Sequence, residues 1–147
     1  MVDVFNPQKR SEVMSRIRGK DTKPEIVVRK YLFLKGFRYR KNVNALPGKP
    51  DIVLPKYKTV IFIHGCFWHM HKGCKYFKMP NTHTEWWRNK LTKTVEIDKR
   101  NILQLEKVGW RVIVVWECEL NTKIKCNKRL PLLVQELKSI NDPNKLE

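Results

Sequence analysis

Thr59-Val60-Ile61-Phe62-Ile63 is apolar on both faces and runs straight into His64-Gly65-Cys66-Phe67-Trp68-His69-Met70-His71-Lys72-Gly73-Cys74. A strand without a wet face belongs inside a sheet that is covered on both sides. The loop that follows is no core segment. Residues 61–74 hold three histidines and two cysteines, and imidazole with thiolate is the ligand set that zinc takes in a tetrahedron. There are more candidate ligands than one ion can use, which points to a metal site standing beside a catalytic one.

Outward from that strand the pattern is regular. Asn81 or Thr84 is placed to cap a long helix to about residue 108, with Trp87, Leu91, Val95, Ile102 and Leu105 on its inner stripe and Gly109 ending it. Arg111-Val-Ile-Val-Val-Trp116 is a second buried strand, and residues 130–140 read as a closing amphipathic helix. Upstream, the turn Leu46-Pro47-Gly48-Lys49-Pro50 leads into the short strand 51–54. Phe37, Tyr39 and Val43 alternate with Arg38, Arg40 and Asn42, as in a strand with one wet face. Asp21 or Thr22 as cap, Pro24 in the first turn and Glu25 at the positive end of the dipole start a helix that Gly36 closes. The order predicts an α/β protein, with helices flanking a central mixed sheet. Residues 1–20, with Lys9, Arg10, Arg16, Arg18 and Lys20, form a basic arm or short helix; 21–141 form one domain; 142–147 are a polar tail.

A chain of 147 residues with 41% hydrophobic content is long enough for one real core. Its 31 Lys and Arg against 14 Asp and Glu give +17, which favours a polyanionic partner because each neutralised phosphate releases counterions. A ribosomal or membrane-surface protein would carry similar charge. No run approaches the roughly 20 apolar residues of a membrane span, and the first ten residues lack the apolar core of a signal peptide. The expectation is a cytoplasmic protein whose four cysteines are thiols or metal ligands.

Cys66, His71 and Cys74 are spaced to fold around one ion. Cys118, just past the strand 111–116, is the preferred fourth ligand for a closed, structural site; Cys126 and His69 are its rivals. Cys126 otherwise reads as a free thiol in a basic loop, and the lysines at 123, 125 and 128 as solvated. Asp51 opens one strand and His64 ends the next, an arrangement suited to magnesium, which prefers a carboxylate, waters and phosphate oxygens. His64 and His69 flank Cys66 and are candidates for the general base. Asp98 falls on the inner stripe and requires a partner, either Arg100, Arg111 or a histidine; a structural role is favoured over orienting a catalytic group. Trp86 and Trp87 are adjacent on a helix, so only one can face inward; Trp86 is expected to pack or to contact a nucleic-acid backbone.

Three blocks carry a resemblance: Leu46-Pro-Gly-Lys-Pro-Asp51, Val60-Ile-Phe-Ile-His-Gly-Cys-Phe-Trp-His-Met-His71 and Trp110-Arg-Val-Ile-Val-Val-Trp-Glu-Cys118. Together they closely resemble the very-short-patch repair (Vsr) DNA mismatch endonucleases, over residues 10–120. The resemblance implies a restriction-endonuclease-like three-layer fold with a structural zinc site, and a magnesium-dependent nick on the 5′ side of the thymine in a T:G mismatch left by deamination of 5-methylcytosine. It makes Asp51 the magnesium ligand together with the backbone carbonyl of Ile63, His69 the general base, His64 its assistant at the phosphate, and Glu25 the holder of metal-bound water. Zinc would sit on Cys66, His71, Cys74 and Cys118. Phe67, Trp68 and Trp87 would form an aromatic wedge in the DNA, with Met14 entering from the opposite groove. The implied partner is double-stranded DNA met by a monomer in the bacterial nucleoid, with a functional link to a DNA cytosine-5 methyltransferase and other repair proteins. Two positions depart from the family: Ile63 stands where Thr is frequent, and Lys72-Gly73 lengthens the His71–Cys74 gap by one residue, which Gly73 can absorb. The other readings are a zinc-stabilised DNA-binding protein without catalysis and a restriction enzyme that cuts both strands.

Overall fold

The computed structural model describes residues 22–140. The basic arm, Met14, Asp21 and the polar tail lie outside the described residues.

Helix α1 spans Lys23–Leu34, with Thr22 as N-cap, Pro24 in its first turn and Glu25 near the positive end of its dipole. After Lys35, Gly36 adopts φ +87°, a conformation that only glycine takes at little cost, and turns the chain off the helix. Strands β1 (Arg40–Lys41), β2 (Ile52–Leu54), β3 (Thr59–His64) and β4 (Arg111–Trp116) make one sheet in the order β1-β2-β3-β4. Pairing is antiparallel for β1–β2 and β2–β3 and parallel for β3–β4. A parallel pair needs a crossover, and helix α2 (Thr84–Lys107) supplies it. Helix α3 (Lys123–Ile140) closes the described chain.

The alternation of side chains along the strands builds two cores. Ile52, Leu54, Ile61, Ile113 and Val115 face α1 and α3, packing on Val28, Leu32, Leu130, Leu133 and Leu137. Val53, Val60 and Phe62 point the other way, toward Leu105 of α2 with Ile102 and Val112 beside it. The result is three layers, α1 and α3 on one side of a mixed sheet and α2 on the other. At roughly 1.5–3 kcal/mol for each buried aliphatic side chain, this two-sided cover explains why β3 carries no polar residue before Ile63 except Thr59, whose hydroxyl donates to the Tyr57 carbonyl at 2.9 Å. None of the described helices is long and apolar enough to cross a membrane.

Four local expectations are corrected. The strand expected over residues 37–43 shrinks to Arg40–Lys41, because Phe37 is drawn into the core and Asn42 turns to φ +52°, out of the extended region. Helix α2 has neither Asn81 nor a Thr84 side-chain cap: its N-cap is His83 at φ +55°, and Thr84 Oγ1 donates to the Pro80 carbonyl instead. Helix α3 begins at Lys123 rather than residue 130, since Thr122 Oγ1 accepts from the Lys125 N–H at 3.1 Å and starts the helix before the lysines. Cys126 is therefore helical and half-buried, not in a loop, with its thiol donating to the Leu120 carbonyl at 3.2 Å.

Candidate active site and metal centre

Because β3 alternates, His64 points to the same side as Val60 and Phe62, toward α2, while Ile63 packs against the opposite core. The tight turns after His64 bring His69 back over it. Their rings stack with centroids 3.8 Å apart and planes 4° from parallel. Asp98, in the middle of α2, meets His69 Nδ1 through Oδ2 at 2.5 Å. A carboxylate can only accept, so Nδ1 carries the proton and Nε2 keeps its lone pair. Asp98 was expected to be structural; the finding is that its partner is a histidine of the candidate site. Burial and the neighbouring His69 push His64 down to about 4, so it stays neutral at physiological pH.

Across the same cleft, Asp51 precedes β2 and accepts the Ile63 N–H at 2.6 Å. Burial, with the Glu25 carboxyl beside it, raises the Asp51 carboxyl to about 7, although the Ile63 N–H and Arg29 pull the other way. Glu25 is buried on α1, with the Arg29 guanidinium 3.7 Å away. Two carboxyl groups side by side in a partly buried cleft are chemically suited to a hard divalent cation. Asp51, Glu25, His64, His69 and Asp98 all line one open cleft of about 450 Å³. Lys49, Asn101 and Glu117 line it too; Lys49 and Glu117 lie in the blocks that carry the resemblance, but the sequence alone assigns none of the three a role.

A second cluster lies behind the first. The ligand atoms of Cys66, His71, Cys74 and Cys118 all fall within 4.8 Å of one another, a set that could hold a metal ion. Cys118 Sγ lies 3.4 Å from His71 Nδ1. The backbone prepares the loop: His71 N–H bonds to the Cys66 carbonyl at 2.9 Å and Cys74 N–H to the His71 carbonyl at 3.2 Å. Gly73, between His71 and Cys74, adopts φ +73°, a conformation that glycine takes at little cost. Cys118 comes from the turn after β4, which the parallel register places next to the end of β3. Neither Cys126 nor His69 joins the group. Burial and the thiols of Cys66 and Cys74 push Cys118 up to about 12. Three sulfurs so close repel as thiolates unless a cation sits among them, and a zinc–sulfur tetrahedron has edges of roughly 3.8 Å. The donor set fits zinc.

Trp116 joins the two clusters. Its indole stacks on His71 at 3.9 Å and meets His64 edge-on at 5.2 Å. The parallel register pairs His64 with Trp116, which puts the two rings on one face of the sheet. Phe67 lies between the clusters and touches Trp68, Phe77 and Trp87 at 5.3, 6.2 and 5.3 Å. Trp68 remains 50% exposed and Trp86 59% exposed. Trp86 meets Trp87 edge-on at 4.9 Å; it faces out rather than into the core.

Known proteins have similar sequences. The profile described as DNA mismatch endonuclease Vsr matches residues 2–75. A type II nicking enzyme of Neisseria meningitidis serogroup A, V.NmeAIP, is 56% identical over 138 residues, covering 94% of this chain and 98% of that protein. V.XorIIP, a type II nicking enzyme of Xanthomonas oryzae, is 40% identical over 98% of this chain and the full length of that protein. The DNA mismatch endonuclease Vsr of Escherichia coli is 45% identical over 85% of this chain and 80% of its own length. With the profile and relatives of this similarity in agreement, the chain belongs to the Vsr family of DNA mismatch endonucleases.

Proposed function

We propose that this chain nicks one DNA strand on the 5′ side of the thymine in a T:G mismatch left by deamination of 5-methylcytosine, in the bacterial cytoplasm. The proposed fold type is restriction-endonuclease-like. The supporting observation is the cleft that combines the Asp51–Glu25 carboxyl pair with the Asp98–His69 pair, next to an exposed aromatic cluster.

In this reading His69 is the general base. Its Nε2 takes a proton from a water whose oxygen forms a bond to phosphorus as the bond from phosphorus to the 3′ oxygen breaks. Asp98 holds the ring in the tautomer that leaves Nε2 free and balances the imidazolium that forms. Neutral His64, stacked on His69, offers an N–H to the phosphate without placing a second positive charge beside the first. Asp51 and the Ile63 carbonyl would hold magnesium, with Glu25 on its water; when bound, that ion supplies positive charge against the phosphate and the leaving oxygen. Because Ile63 would contribute only backbone, the loss of a threonine hydroxyl there is tolerable. Cys66, His71, Cys74 and Cys118 would hold a structural zinc that fixes the loop carrying Phe67, Trp68 and His69. Phe67, Trp68 and Trp87, with Met14 from the other groove, would enter the stack where a wobble pair makes unstacking cheaper.

The test is strand-specific nicking of duplexes with a T:G or a C:G pair at one position, in magnesium, by wild type and Asp51→Ala. The expected result is a nick in the thymine strand of the mismatch alone, lost in Asp51→Ala while mismatch binding persists. Efficient cutting of the paired duplex in both strands would make it a restriction enzyme. Binding with no cutting would leave a DNA-binding protein.

A further inference from the structure

The cleft that must receive a phosphodiester is acidic. Among the described residues, Glu25, Asp51, Asp98 and Glu117 line it, and Lys49 is the one lysine or arginine that does. An anionic substrate entering this space meets four carboxyl side chains, and apart from a bound metal ion the positive charge at Lys49 is what the described lining sets against them.

The backbone holds Lys49 at this rim. Gly48 adopts φ +75°, and a Cβ there would come within 3.1 Å of Asn101 on α2 and of Phe62 on β3, so the turn is pressed against both elements. Lys49 itself takes φ +50° and donates its N–H to the Leu46 carbonyl at 3.0 Å. Pro50 follows and is buried. Left-handed backbone costs a residue with a Cβ roughly 1 kcal/mol. Lys58 has the same conformation at an exposed turn, so the angle alone assigns nothing; the acidic cleft does.

We propose that Lys49 is a phosphate-contact residue whose ammonium meets the non-bridging oxygens of the scissile phosphodiester. The proposal rests on the nicking reading above. It gives the enzyme, from the turn before Asp51, a cation that the rest of the described cleft lacks. A flexible ammonium suits this role, as a point charge that can follow the phosphate when its geometry changes.

The experiment uses the full chain with Lys49→Ala, Lys49→Gly and Lys49→Arg. Lys49→Gly relieves the left-handed strain but adds unfolded-chain entropy of similar size, so its Tm should stay close to that of wild type. Single-turnover nicking of a T:G duplex at saturating enzyme is expected to fall ~10- to 100-fold in the Ala and Gly variants and to stay within ~3-fold in Lys49→Arg. The salt slope of binding should drop by about 0.9, one phosphate contact. With a methylphosphonate in place of the scissile phosphate, wild type and Lys49→Gly should bind alike. Wild-type nicking by Lys49→Gly, or a binding difference that persists on the methylphosphonate duplex, overturns the proposal. Failure of wild type itself to nick would instead overturn the nicking reading.

Discussion

His69 and Asp98, 29 positions apart in the chain, meet through Nδ1 and Oδ2 at 2.5 Å, and the contact ties the loop after β3 to the middle of α2. His64, stacked on the far side of His69, is held neutral by burial and by that neighbour. One imidazole is thus oriented by a carboxylate while the other stays neutral.

Replacing Asp98 with Asn tests that division of labour. The amide is isosteric but can donate, so it admits the tautomer with the proton on Nε2, where no base remains. Nicking at saturating enzyme should fall roughly 10- to 100-fold, with mismatch affinity within about 2-fold. A rate-neutral Asp98→Asn, measured in single turnover, would leave the pair with structural value only.

Asp51 and His64 make stability without metal depend on pH in opposite directions. Asp51 is raised from 3.8 to about 7 in the folded state, so its contribution is complete below 3.8 and is lost as pH rises through 7. His64 is lowered from 6.5 to about 4, so its contribution is complete above 6.5 and is lost as pH falls through 4. Between about 4 and 6.5 the two offset each other. In buffer with neither magnesium nor chelator, the Tm of Asp51→Asn should gain on wild type as pH rises from about 5 to 8, and magnesium should raise the wild-type Tm more at the upper pH. A Tm difference independent of pH contradicts the buried carboxyl pair.

What could be read in advance follows the range of the interactions. Strand β3 was legible because a run apolar on both faces has one stable location. The four-residue thiol and imidazole set was legible because zinc tolerates few spacings and Cys118 sits at a strand end beside β3. β1 was misread because alternation says nothing about Asn42 turning to φ +52°. The start of α3 was misplaced because three lysines near a helix N-terminus oppose the dipole, while the cap on Thr122 is a single hydroxyl. Asp98 could be recognised as needing a partner, but whether that partner was Arg100, Arg111 or His69 depends on how α2 crosses the sheet. Lys49, Asn101 and Glu117 join the cleft only through tertiary packing.

The aromatic cluster divides into a packed part and an exposed part. Phe67 has three aromatic neighbours and is half-buried, whereas Trp68 is 50% exposed and touches Phe67 and Trp87. Base–aromatic stacking contributes about 1–3 kcal/mol. Trp68→Ala should therefore reduce discrimination of T:G over paired duplex by roughly tenfold and leave Tm within about 2 °C. Phe67→Ala should lower both. Anisotropy with matched and mismatched duplexes, together with thermal melting, separates the two; equal loss of Tm in both variants would make Trp68 support as well.

Cys118 links the loop after β3 to the edge strand. It is the one ligand of the set contributed by the chain beyond α2, so removing it should release the loop from β4 as well as weaken the ion. Cys118→Ser is expected to lose most of the about one equivalent of zinc that a closed four-ligand site retains, and to melt roughly 10 °C lower, because binding energy at a structural site is folding energy. His69 sits in the same loop as Cys66 and His71, so the nicking rate should fall further than the population of unfolded protein explains. Cys126→Ser, at a half-buried residue whose thiol donates to the Leu120 carbonyl and packs at the core edge, should keep its zinc, since the hydroxyl can make the same bond. Metal analysis of the purified variants beside their melting curves distinguishes the two cysteines, and full zinc in Cys118→Ser would mean that the ion is held by a different set of ligands.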